Sequence, residues 1–150
     1  MDLSGSAIVC RISSLYEIKD APDHILIGYF FTGDYMSKDH KNRQWVFFND
    51  IKGEAAAPGV MRKVLAYCDE MMCVVNEFEK DAVGALHSHP HTQITYVAEG
   101  RFRFTIGDEV KEVSKGDTLC KRNEVKHGCL CLEKGTLVDF FTPMREDFIK

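Results

Sequence analysis

Along residues 60–142 apolar and polar positions alternate in short runs, and each run closes on a turn holding glycine or aspartate. "RKVLAYCD" (62–69) and "MMCVVNEFE" (71–79) have the β-branched and aromatic content of strands. "TQITYVAEG", "RFRFTIGDE", "VKEVSKGD", "TLCKRNEVKHG", "CLCLEKG" and "TLVDFFTP" follow as strand-length units. Turn signals recur about every ten residues, the spacing of an all-β sandwich or barrel. The period of two is cleanest in "RFRFTI". There Phe102, Phe104 and Ile106 share one face, and Arg101, Arg103 and Thr105 share the other, the solvent side. Upstream the pattern is weaker. "AIVCRI" (7–12) and "ILIGYFFT" (25–32) read as strands, 33–44 as a polar loop, "WVFF" (45–48) as an apolar piece and 49–60 as irregular. The closing "REDFIK" reads as a helical turn or tail.

Length and composition change this picture little. A chain of 150 residues is one domain by default and buries a core without staples. The core barrel is expected at about 60–142, with 1–59 as an N-terminal extension that packs on or extends it. A formal net charge of −4 gives no reason to expect nucleic acid or an anionic membrane as partner. No apolar run approaches the roughly 18 residues of a transmembrane helix, and the N-terminus lacks a basic segment before an apolar one. The expected location is cytoplasmic. Six cysteines, Cys10, Cys68, Cys73, Cys120, Cys129 and Cys131, are irregularly spaced. They read as small buried hydrophobes in a reducing compartment rather than a disulfide framework.

The chemistry is concentrated in "GALHSHPHTQITYVAEG", residues 84–100. In an extended chain residues two apart share a face. His87 and His89 therefore point the same way, and Gln93 keeps their parity, followed by Thr95 and Val97. Two imidazoles and an amide oxygen make a partial shell for a divalent first-row metal. His127 is the natural fourth ligand: it follows the turn "KRNEV" and precedes Gly128, which permits a close backbone approach. Pro90 interrupts the strand before His91, whose role parity does not decide. His24 and His40 read as surface histidines.

These residues resemble the two motifs of the cupins, small metal-binding jelly-roll barrels. Gly84, His87, His89, Gln93 and Gly100 follow the first motif, with glutamine in the place of the acid and a shortened glycine-to-histidine gap. Gly116, Asp117 and His127 follow the second, with Lys121 and Arg122 where many members have two prolines. The resemblance implies an all-β cupin jelly-roll barrel, here with extra N-terminal strands. Toward the C-terminus, "DFFTPMREDF" narrows the likeness to the KdgF pectin-degradation cupins. That family converts the cyclic 4,5-unsaturated uronates released by pectate and alginate lyases to their open-chain keto form. The resemblance implies a metal held by His87, His89, Gln93 and His127. It also implies that Asp139, Phe141 and Arg145, spaced as the family's Asp-x-Phe-x-x-x-Arg, join the site. A homodimer is expected by the same analogy.

The residues suit those roles. Leu137, Asp139 and Phe141 share one face of a strand, and an aspartate on an otherwise apolar face needs a reason to be there. A carboxylate beside a metal serves proton transfer. A guanidinium at Arg145 suits a substrate carboxylate, and Phe141 suits a sugar face. The neutral Gln93 leaves the shell one charge more positive than a carboxylate would, which favours a Lewis-acid role toward an anionic sugar acid. Zn, Ni, Mn and Fe all accept such donors. Two alternatives stand beside this reading: a metal-dependent dioxygenase, and a non-catalytic cupin that binds a small sugar or metabolite.

Overall fold

The computed structural model describes residues 39–150. The expected strands at 7–12 and 25–32, Cys10 and His24 lie outside the described residues. Among the described residues, eight antiparallel strands form one sheet: β1 (Glu54–Ala57), β2 (Val60–Tyr67), β3 (Met72–Phe78), β4 (Val83–His87), β5 (Thr92–Ile106), β6 (Glu109–Ser114), β7 (Thr118–Lys121) and β8 (His127–Thr142). Short 3-10 turns occupy Phe48–Asp50 and Glu146–Phe148. The stretch 49–60, expected to be irregular, contains β1, which pairs with β2 across the turn at Pro58 and Gly59.

The largest departure from the sequence pattern is at two glycine turns. "TQITYVAEG" and "RFRFTIGDE" form the single strand β5, and "CLCLEKG" and "TLVDFFTP" form β8. The reason is steric. The two strands pair along their length, with register shifts between Val97 and Phe102. At that crossing Gly100 and Gly135 meet. A Cβ on Gly100 would lie 2.6 Å from the Gly135 Cα, and one on Gly135 would lie 2.3 Å from the Glu99 carbonyl oxygen. Glycine here admits a bend and a close backbone approach, not a chain reversal.

The bend lets each long strand serve two groups of partners. The first half of β5 pairs with β7 and its second half with β6. The C-terminal half of β8 pairs with β3 and its N-terminal half with β4. Inward parity on β5 changes accordingly, from Gln93, Thr95 and Val97 to Phe102 and Phe104. One apolar cluster joins Val60, Phe78, Val97, Phe102, Phe104 and Leu137; a second joins Val64, Tyr67, Met72, Val74 and Phe141, with Met144, Phe148 and Ile149 packed on it.

Candidate metal centre

Between the two apolar clusters the inward positions are polar. Arg62 on β2 pairs in register with Asn76 on β3, Thr95 on β5 with Asp139 on β8, and Gln93 on β5 with Lys121 on β7. These six side chains, with His87 and His127, border one cavity of about 300 Å³.

The histidines assemble at its rim. His87 ends β4 and is the ladder partner of His127, the first residue of β8. Gly128 permits that approach: a Cβ there would lie 2.8 Å from the Gly84 carbonyl oxygen. His89 sits in the loop between β4 and β5, not on a strand. One ring nitrogen from each of His87, His89 and His127 falls within 4.8 Å of the others. His91 is outside this triad; its ring lies 5.4 Å from that of His89.

The hydrogen bonds fit a metal. His87 Nδ1 donates to the Ala85 carbonyl and His127 Nδ1 to the Val125 carbonyl, each at 2.8 Å. A carbonyl only accepts, so Nδ1 carries the proton and Nε2 the lone pair. Metal-binding histidines are commonly oriented in this way by a backbone carbonyl. His127 Nε2 is buried without a partner, an orphaned acceptor of the kind a cation would satisfy. Burial lowers the pKa of His89 and of His91, and pushes His127 down to about 4. These rings are thus neutral near pH 7, the form that ligates.

Gln93 links the triad to the acid. Asp139 accepts Gln93 Nε2 at 2.6 Å on Oδ1. A carboxylate accepts, so the amide nitrogen must face it and the amide oxygen must face the histidines. Gln93 Oε1 accordingly lies 3.0 Å from His89 Nε2. This is a hydrogen bond in the metal-free geometry.

Asp139 is the sole buried acid among the described residues, and Lys121 the sole buried lysine or arginine. Asn76 Nδ2 donates to Asp139 Oδ2 at 2.8 Å. Thr95 donates its hydroxyl to Asp139 Oδ1 and accepts from Lys121 Nζ, which joins the two charges through one hydroxyl. Burial lowers the pKa of Lys121, and Asp139 opposes that shift.

Phe141 is buried with its ring 5.6 Å from His89. Arg145 lies beyond β8, after a cis Thr142–Pro143 bond. Its Nε and Nη2 donate to Asp147 at 2.9 and 2.7 Å, holding the Asp147 pKa down at about 2. The cavity thus gathers Asp139, Phe141 and Arg145 with Gln93, His87 and His127; His89 meets it through Gln93 and Phe141.

Two further sequence expectations fail. His40 is buried, with its ring edge-on to Tyr67 and a ring nitrogen 2.8 Å from the Leu65 carbonyl oxygen, so it is not a surface histidine. Cys120 is exposed, because it takes the outward parity of β7 while Lys121 takes the inward one. The other described cysteines are free and at least half-buried in character, with Cys131 fully so. Arg101 and Arg103 face solvent as expected and pair with Glu112, Arg101 also with Glu133. Sequence reasoning missed Arg62, Asn76 and Lys121 as site residues. Their common signal was a polar residue on the inward parity of a strand, as with Arg62 between the buried Val60 and Val64.

Comparison with known proteins agrees with the architecture. The cupin domain family model matches residues 74–139. The pectin degradation protein KdgF of Dickeya dadantii is 35% identical over 109 residues, which cover 71% of this chain and 99% of that one. KdgF from a Halomonas species superposes with a TM-score of 0.68 at 30% identity, covering 71% of this chain and 98% of that one. An RmlC-like cupin from Shewanella frigidimarina gives a TM-score of 0.69 at 34% identity, covering 72% and 97%. A salicylate 1,2-dioxygenase from Pseudaminobacter salicylatoxidans shares the fold alone, at 16% identity and a TM-score of 0.56 over 59% of this chain and 27% of that one.

Proposed function

The chain belongs to the KdgF family of cupins, and from that premise we propose that it is a metal-dependent enzyme that linearises an unsaturated uronate from pectin or alginate breakdown. The observation that carries the reading is the Gln93 amide. Its oxygen faces the histidines and its nitrogen holds Asp139, so one side chain joins the metal donors to the acid.

His87, His89, Gln93 and His127 would hold a divalent transition metal, Zn, Ni, Mn or Fe by donor type. When bound, such an ion supplies Lewis acidity to a substrate oxygen. Linearisation adds water across the C4=C5 bond: a proton goes to C4 and a hydroxyl to C5. The C5 hemiketal then collapses, the ring C–O bond breaks and a ketone forms at C5. Asp139 is the proton-transfer group. Asn76, Gln93 and Thr95 fix both of its oxygens, so its position does not depend on the substrate. Phe141 offers an apolar wall for the sugar. Arg62, Lys121 and Arg145 outnumber Asp139 among the charged residues at the cavity, which suits an anionic substrate.

The test is the ultraviolet absorbance of the unsaturated uronate after lyase digestion of pectate or alginate. Metal-loaded protein is expected to speed its loss, and Asp139→Ala to slow that loss by about 10²–10⁴-fold. No acceleration, or full activity in Asp139→Ala, overturns the reading. Chelation followed by gel filtration should abolish activity, and each candidate metal added back in turn identifies the one that restores it.

A further inference from the structure

We infer that Arg62, rather than Arg145, anchors the substrate carboxylate; the inference rests on the uronate reading above. Both guanidinium groups reach the same cavity as Asp139 and Phe141. Both stack on one ring: Arg62 lies 3.9 Å and Arg145 4.3 Å from the Phe148 centroid. Their free donors differ. Arg145 already spends Nε and Nη2, an edge that grips a carboxylate two-fold, on Asp147 of its own tail.

Arg62 makes no such fork. Its Nε is buried with no hydrogen-bond partner. Its ion pair with Glu54 is 3.9 Å long, beyond hydrogen-bond reach. The side chain leaves β2 on the inward face, between Val60 and Val64, and stands opposite Asn76, which itself holds Asp139. A buried guanidinium donor with nothing to bond is unfavourable. The side chain keeps 24% of its surface open, against 11% for Arg145, so an anionic ligand in the cavity has the better access to the Arg62 guanidinium. Phe148 holds the guanidinium group by a cation–π contact, so little side-chain freedom remains to be lost on binding. A carboxylate on Arg62 would hold the acid end of the sugar on the β2–β3 side of Asp139.

The experiment measures calorimetric binding of D-galacturonate, a saturated uronate, and of neutral D-galactose to the metal-loaded full chain. Wild type is expected to bind the acid and to discriminate against the neutral sugar. Arg62→Met should weaken galacturonate binding about tenfold or more, and Arg145→Met should weaken it less. With the unsaturated substrate, Arg62→Met should raise KM about tenfold while kcat changes less than about threefold. Circular dichroism checks the fold. If Arg62→Met does not fold, Arg62→Lys decides instead: it keeps the charge and the aliphatic stem but lacks the fork. Undiminished galacturonate affinity in the folded Arg62 variant overturns the inference, as does a wild type indifferent to the acid. Arg62-dependent galacturonate binding without turnover would sink the linearisation reading and keep this one. Turnover with an unaffected Arg62 variant would do the reverse.

Discussion

Strands β5 and β8 carry charged and polar side chains at both ends, and the two ends behave differently. At one, Arg101 and Arg103 pair with Glu112, and Arg101 with Glu133, all facing water. At the other, the buried Gln93, Thr95, Lys121 and Asp139 meet one another and the half-buried Asn76. Surface pairs are screened and can be broken and remade by solvent, so they contribute little. Buried groups have no such substitute. Each needs a partner within the protein, and removing one leaves another unsatisfied. The polar band is therefore costly, and a chain built only for stability would fill that space with apolar side chains.

Breaking the buried end should have the largest effect. Asp139→Ala removes the acid that opposes Lys121 and strands the Asn76 and Gln93 amides. The expected loss is about 3–5 kcal/mol of stability, read from chemical denaturation; an unchanged midpoint would mean that the band relaxes freely. Acidification comes next. In the metal-free protein the folded pKa of His127 is depressed by burial to about 4, from an ordinary value of 6.5. Between those values the unfolded chain binds more protons, so stability rises with pH through the window. It is complete above about pH 6.5 and declines as pH falls toward 4, by at most about 3 kcal/mol from this residue. Melting curves from pH 7 to 4 test the sign.

Smaller effects separate the partners within the band. Lys121→Met should change stability by only about 1 kcal/mol in either direction. Asp139 keeps its bonds from Asn76, Gln93 and Thr95, and the methionine removes a desolvated charge. A loss as large as that of Asp139→Ala would show that the two charges act as one unit. At the exposed end, Glu112→Ala should leave the melting temperature unchanged within error at physiological salt. A clear drop there would erase the contrast between the two regions.

Much of the site was legible because its residues lie close in sequence or on one strand. His87, His89 and Gln93 fall within seven positions, and Asp139 stood out as an acid on an apolar strand face. Gln93, Thr95 and Val97 share the inward face that their alternate spacing implies. His89 joins them from a loop, where strand parity does not apply. Gly100 and Gly135 read as turns because a glycine that permits a reversal and one that permits a backbone crossing look alike in one dimension. Lys121 was hidden because charge normally marks the outward parity, and only its neighbours reveal that Cys120 took that side.

By itself the sequence determined the all-β class, the facing of runs such as Phe102 and Phe104 against Arg101 and Arg103, and the chemistry available in the cluster at 87–93. Those depend on local spacing and side-chain type. Only the tertiary structure decided which distant residues share the cavity: His127 against His87, Asp139 on Gln93, Asn76 and Thr95, and Arg62 above Phe148. Strand register, the bend at the paired glycines and burial within the barrel set those contacts. All three are properties of the assembled sheet, not of any segment within it.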